Sequence, residues 1–465
     1  MSDLSHAEGR APTRARSGAS ASDLYRAVWR WHFYAGLLVL PFLIILSVTG
    51  GIYLFRHQLD PLIHHNLMRV EAQGTPPRPP SAQVEAALAA RPGTVFRYVP
   101  PSSGTAAAEV GVRTPGGERI VVYVNPYDAT VLGELPDRGT AMWLVRQIHS
   151  LVIAGPVANG LIEIAGGWTI LLIGTGLYLW WPRGSSRTRE RGGVVSLRGT
   201  PRRRVFWRDL HAVTGLIVGS VLLFLAVTGM PWSVFWGSYV NKWANGHNFG
   251  YPAGVRVNLP MSDEHLGHAA PTTWSLEQAR VPHSTGHGPQ PIGLDAAVET
   301  FNRLGLAPGY AVALPSGPTG VYTASVYPND LSKQRVVHLD QYSGRPLLDM
   351  TYADYGPLGR ALEWGINVHM GQQWGLANQL VLLAACIATV LLCVSAAVMW
   401  WKRRPSGSLG VPPLPSDRRV LRGVVAILAI GGVIFPLVGL SLLVMLAADL
   451  AFIRFGRRRR ATAHA

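Results

Sequence analysis

The sequence is poor in charge, in cysteine and in the residue groupings that hydrolytic chemistry needs. Only 15% of its 465 residues are charged and 48% are hydrophobic, where an average soluble domain carries about 25% charged residues. That balance excludes an ordinary soluble chain and points to a membrane protein with sizeable polar portions. Cysteine occurs twice, at Cys386 and Cys393, within one apolar run. Such a pair builds neither a disulfide framework nor a Cys-x-x-Cys metal site, so both read as small buried hydrophobes. No Ser/His/Asp or paired-carboxylate constellation is present to support nucleophilic or acid–base hydrolysis. A cleavable leader is also missing: residues 1–24 are polar, and the first apolar run is long enough to stay as an anchor.

What is abundant is arginine, and the net charge is +16. Its distribution argues against nucleic acid as a partner, because the arginines crowd beside apolar runs, where they fix topology. Four runs are long enough to cross about 30 Å of hydrocarbon as helices, at 33–55, 157–181, 212–236 and 376–401. The leader, the 182–208 connection and Lys402-Arg403-Arg404 are basic. They are therefore expected in the cytoplasm, with the lipid bilayer between them and two long outer loops. A fifth apolar run, 423–453, contains Gly431, Gly432 and Pro436 and is followed by Arg457 to Arg460. One crossing would strand four arginines outside, and two crossings need more residues than the run has. It reads as a tilted span or a re-entrant element.

These features divide the chain into a disordered cytoplasmic leader (1–24), a first span (25–56) and a first outer module (57–148). A histidine segment with the second span (149–182), a basic loop (183–207) and the third span (208–239) come next. The second outer module (240–368), a histidine segment with the fourth span (369–402), and a linker, fifth apolar segment and tail (403–465) complete it. Each outer loop holds a helix-like stretch, 81–90 or 294–305, and then a strand–turn–strand pattern, 118–135 or 333–350. Two small α+β modules are expected.

The chain repeats itself. WHFYAGLLVLPFLIILSVTG (31–50) aligns with LHAVTGLIVGSVLLFLAVTG (210–229) at a constant offset of 179, which places His32 on His211. At an offset of 220, His149 falls on His369 and Trp180-Trp181 on Trp400-Trp401. The architecture is span–module–span, twice, as a parallel repeat. The tryptophan pairs suit a water boundary, and the Val-Thr-Gly triplets at 48–50 and 227–229 suit close helix packing.

Four histidines thus form two repeat-related pairs near opposite ends of the spans. Neutral imidazole is a common metal ligand and an axial ligand of haem. The apolar surroundings offer no carboxylate or thiolate cluster for a bare ion, whereas Gly36, Gly174, Gly176, Gly215 and Gly219 suit slots for a flat macrocycle. Two haems in series would divide the membrane barrier into shorter electron hops. As continuous helix, His149 to Trp180 would extend about 46 Å, so a break near Gly155-Pro156 and Gly375 is the alternative to histidines standing above the membrane. Weaker candidates are His57, His64 and His65, the spaced pairs His265/His268 and His283/His287, and His247, with Glu163 as a polar contact or proton-linked group. Trp364 and Trp374 flank His369 and could pack against a haem or the interface.

The segments WRWHFYAG, RDLHAVTG, RQIHSLVIAG and NVHMGQQWG, with LYLWWPR and VMWWKRRP, resemble the PepSY-associated transmembrane family of bacterial inner-membrane proteins over about residues 24–405. The resemblance implies a mainly α membrane fold, a four-helix transmembrane bundle with two PepSY-like periplasmic modules and a C-terminal apolar helix segment. The family includes iron-regulated proteins and haem-containing siderophore reductases, a ferrioxamine reductase among them. It implies two b-type haems with His32, His211, His149 and His369 as axial ligands, and reduction of periplasmic Fe(III)-siderophore. The tail resembles no flavodoxin-like or NAD(P)H-binding domain, which implies a separate electron donor, a quinol or a cytoplasmic reductase. A membrane-anchored peptidase regulator without cofactor, or a component of iron or siderophore transport, are the competing expectations.

Overall fold

The computed structural model describes residues 16–181, 195–247, 249, 261–265, 272, 276, 279–285, 290–406, 409–412 and 417–462. Most of the leader, the arginines at 183, 187, 189 and 191, and His268 and His287 lie outside them. Helices α1 (Arg16–Tyr53), α6 (Pro156–Trp180), α7 (Arg204–Gly229) and α11 (Leu376–Arg403) contain the four stretches long and apolar enough to span a membrane. The shorter helices are α2 (Arg56–Ile63), α3 (His65–Met68), α4 (Pro80–Ala90), α5 (Ala141–His149), α8 (Trp236–Gly246), α9 (Gly293–Arg303) and α10 (Pro357–His369). The chain ends in α12 (Arg418–Ile434) and α13 (Pro436–Thr462).

The chain divides into two compact units. The first consists of Met1–Ile44, Gly160–Ala226 and Ala388–Ala465. Its core joins Trp31, Ala35 and Val39 with Trp168, and with Val424, Leu428, Val438 and Leu442 of the terminal helices. The fifth apolar run is not one element. It breaks at Phe435–Pro436 into α12 and α13, whose apolar stretches are each too short to span. Proline has no N–H to continue the helix, and the reversal is so tight that a Cβ on Gly432 would lie 2.6 Å from the Gly439 backbone. The chain therefore returns toward the side from which α12 set out, and both basic ends of the segment can lie on one side. Two half-length apolar helices are compatible with the residue count that argues against two full crossings.

The second unit consists of Ile45–Asn159 and Val227–Ile387. Here the two expected modules are fused. Strands β1 (Thr94–Val99), β2 (Ala108–Arg113), β3 (Arg119–Val124) and β4 (Val131–Pro136) come from the first loop. From the second loop come β5 (Met261–His265) and β6 (Arg280–Pro282), which form a separate pair, and β7 (Ala311–Ala313), β8 (Val321–Val326), β9 (Arg335–Asp340) and β10 (Pro346–Thr351). Eight strands make one antiparallel sheet in the order β10-β9-β8-β7-β1-β2-β3-β4. The seam is β1–β7, in register at Arg97↔Ala313 and Tyr98↔Val312. Behind it α4 and α9 share one core, containing Ala87, Tyr98, Phe301, Val312 and Leu339. Asp295 of α9 accepts from the Ser81 backbone N–H and hydroxyl, at 2.7 and 2.6 Å. The hairpin turns form as their side chains dictate. Asp340 Oδ1 accepts from the Tyr342 and Ser343 N–H groups, and Gly344 takes a φ of +67° that favours glycine.

His149 and His369 end short helices, α5 and α10 respectively. No continuous helix runs on into the span. Leu151, Gly155, Gly371 and Gly375 adopt positive φ, and the chain turns before α6 and α11 begin.

Candidate functional site

Each unit holds one of the two histidine pairs. In the first, His32 of α1 and His211 of α7 face each other with ring centres 6.5 Å apart and planes at 82°. His32 Nδ1 is 2.9 Å from Thr175 Oγ1. That hydroxyl donates its one proton to the Leu171 carbonyl at 2.9 Å, so toward His32 it presents a lone pair. With the hydroxyl proton on that carbonyl, the matching tautomer of His32 carries its proton on Nδ1 and leaves Nε2 bare. His211 reaches the same tautomer another way. Its Nδ1 lies 3.2 Å from the Leu392 carbonyl, which can only accept, and Ser395 Oγ donates to that carbonyl at 2.8 Å. Thr175 and Ser395 stand 220 apart, the offset that aligns α6 with α11.

In the second unit, His149 Nδ1 is 2.9 Å from Thr49 Oγ1 and His369 Nδ1 is 2.8 Å from Thr228 Oγ1. Thr49 Oγ1 donates to the Ile45 carbonyl at 2.5 Å, so His149 too is protonated on Nδ1. Burial, with Arg146 adding to it, pushes the His149 pKa down to about 4. Burial and then the neighbouring His149 hold His369 down to about 3. Both imidazoles are neutral near pH 7, the form that binds metal. The hydrogen bonds described for the four rings run through Nδ1.

Glycine keeps the ring edges clear. A Cβ on Gly50 would lie 3.3 Å from His149 Cε1, one on Gly176 3.3 Å from His32 Cε1, and one on Gly229 3.6 Å from His369 Cε1. The Val-Thr-Gly triplets, read from the sequence as packing motifs, therefore do more than let helices approach: each threonine holds a histidine. The signal is present in the sequence, since the offset of 179 that aligns His32 with His211 also aligns Thr49 with Thr228. Sequence reasoning also missed Asp209, two residues before His211. It is buried, and it accepts from Arg198 Nε at 2.8 Å and Arg208 at 2.7 Å, which ties the incoming loop to the start of α7.

The other candidates disperse. His64 Nε2 accepts from the Ala141 N–H at 3.0 Å and so caps α5; His57, His65 and His247 are exposed. Among the described residues no group of three or more His, Cys, Asp or Glu is placed to hold a metal ion. Glu163 is 1% exposed. Trp364 and Trp374 meet edge to face at 6.3 Å and are both exposed.

No curated protein matches the chain. A family model does, over residues 29–403, and its description is the PepSY-associated TM region. That span includes all four histidines and most of the chain, and the protein belongs to the PepSY-associated transmembrane family.

Proposed function

We propose that the protein is a haem b oxidoreductase of the bacterial cytoplasmic membrane that passes electrons outward to a periplasmic Fe(III)-siderophore. In this reading His32 and His211 would hold one haem and His149 and His369 the other. The observation that carries it is the 6.5 Å separation of the His32 and His211 rings. Two facing imidazoles at that separation, with Nδ1 of each engaged by Thr175 or the Leu392 carbonyl, would hold a metal-centred group between them through their other ring nitrogens. The donor set agrees: a porphyrin fills four positions on iron and leaves two for imidazole, whereas a structural zinc needs four protein ligands.

When bound, haem supplies reversible one-electron Fe(III)/Fe(II) chemistry. The chain's own residues do the rest. Thr175, the Leu392 carbonyl, Thr49 and Thr228 orient the imidazoles and fix their tautomer. Gly176, Gly50 and Gly229 leave the ring edges uncrowded, and the spans exclude water. The basic termini at Arg204, Arg208 and Lys402–Arg404 orient the chain with the His32–His211 pair toward the cytoplasm. Electrons enter there from a separate donor, a quinol or a cytoplasmic reductase, and leave from the outer pair. One electron converts Fe(III) to Fe(II), which a siderophore holds less tightly, so delivery of the electron is all that release requires. The span–module–span repeat accounts for two sites of the same plan.

The test is stopped-flow mixing of the dithionite-reduced protein, freed of excess dithionite, with a Fe(III)-siderophore. Reoxidation that rises with siderophore concentration, and Fe(II) captured by a chelator in equal electron equivalents, is the expected result. Reduced protein that stays reduced under excess siderophore would reject the substrate.

A further inference from the structure

Helix α8 comes after the third span, beyond a sharp turn. A Cβ on Gly237 would lie 2.2 Å from the Pro231 carbonyl oxygen, so α8 packs directly on the Met230–Trp232 turn that follows α7. At about 100° per residue, its side chains fall into three sectors. Gly237, Asn241 and Ala244 form a buried stripe. Ser238 and Lys242 are exposed and polar. Trp236, Tyr239, Val240 and Trp243 form the third sector, in which Tyr239 is 70% and Trp243 47% exposed. Val234 and Phe235, exposed just before the helix, extend the apolar surface back toward the span.

We infer that α8 lies in the bilayer–water interface, with this aromatic sector seated among lipid headgroups and upper acyl chains. The three sectors match what such a helix meets: protein on one side, water on another and lipid on the third. Tryptophan and tyrosine are the side chains whose rings favour that boundary. Continuity with a membrane-spanning helix supplies the lipid surface.

The other copy of the repeat shows that an aromatic stripe is not a general property of the post-span helix. At the offset of 179, Trp236, Tyr239 and Trp243 correspond to His57, Asp60 and His64. There two of the positions serve the protein: Asp60 accepts from the Thr140 hydroxyl and the Met142 N–H, both at 3.0 Å, and His64 accepts from the Ala141 N–H. Copy one uses its post-span helix to cap α5. Copy two presents aromatics outward and anchors its end of the second unit on the membrane.

The experiment uses the full chain in lipid nanodiscs with Cys386→Ser and Cys393→Ser as background. An environment-sensitive fluorophore is attached to Tyr239→Cys in one sample and Ser238→Cys in another. The inference expects the label at 239 to be blue-shifted, quenched by lipids carrying a nitroxide high on the acyl chain, and shielded from aqueous iodide. The label at 238 should show the reverse. Equal iodide quenching at both sites would overturn the inference. So would a label at 239 shielded from iodide yet not quenched by nitroxide lipid, which would mean that protein, including a second copy of this chain, covers the face.

Discussion

Thr228 Oγ1 lies 2.8 Å from His369 Nδ1, and Thr49, at the matching place in the other half of the chain, lies 2.9 Å from His149 Nδ1. In the tautomer that frees Nε2 to bind metal, each hydroxyl accepts the Nδ1 proton. Replacing Thr228 by valine keeps the shape and removes the acceptor. The buried Nδ1–H is then left unpaired, at a cost of about 1–3 kcal/mol, and loss of such a supporting bond lowers metal affinity by roughly 10- to 100-fold. Thr228→Val should therefore lose haem from the outer pair on dilution or dialysis while the inner pair keeps its own. Redox titration followed optically reads the two separately; an unchanged outer component would contradict the role given to Thr228.

Gly174 and Gly176 lie on the same helix but face different surroundings. A Cβ at 176 would press on His32 Cε1 at 3.3 Å, whereas one at 174 meets nothing within 4 Å. Gly176→Ala should alter the spectrum of the inner site, because the His32 ring must give way, and Gly174→Ala should leave it as it was. Identical spectra for the two variants would mean that the ring edge is not constrained.

The eight-stranded sheet carries a pH dependence of its own. His338 is fully buried on β9, bonded through Nδ1 to Thr323 at 2.8 Å, and its Nε2 has no partner among the described residues. Burial pushes its pKa from 6.5 down to about 3. A histidine whose pKa falls on folding contributes its full stability above its unfolded pKa. That stability is lost as the pH drops from about 6.5 toward 3, at up to about 1.4 kcal/mol per pH unit. Denaturant titrations of the protein in detergent at pH 7.5, 6 and 5, read by far-ultraviolet circular dichroism of the sheet, should show this slope, and His338→Leu should flatten it. A slope unchanged by that substitution would assign the acid sensitivity elsewhere.

The terminal reversal depends on two glycines. Gly432→Val places a branched side chain where the Gly439 backbone passes, and Gly439→Val does the converse. Overpacking of this kind costs about 1–3 kcal/mol or more. Each variant should lower the thermal midpoint in detergent, and a cysteine introduced at Arg422 should show whether α12 still begins on its original side. Unaltered stability in both would mean that the helices do not meet there.

The four spans and the histidine pairs were legible because both are written as local pattern: apolar length in one case, a constant offset in the other. The hydroxyls that hold the histidines were less so. Thr49 and Thr228 sit in triplets whose small size already explained them, and Thr175 and Ser395 differ in type, which hid their correspondence. The fused sheet could not be read at all. It rests on two aligned residue pairs, Arg97↔Ala313 and Tyr98↔Val312, between strands more than two hundred residues apart, and nothing in either strand names its partner. In the terminal segment the residue count argued against two full crossings and left a tilted span or a re-entrant element. The tight reversal escaped because it is made by Gly432 and Gly439 touching, and single-residue turns leave little mark on hydropathy.

The central claim is that the four histidines hold two haems as cross-repeat pairs. It is tested most directly by haem content per chain in the purified protein and in His211→Ala, with reduced-minus-oxidised spectra of each. The account predicts about two haems in the parent protein, a Soret band that shifts on dithionite reduction, and about one haem in His211→Ala with the outer-pair spectrum intact. A parent protein without a Soret band, or a His211→Ala variant that keeps both haems, would contradict it.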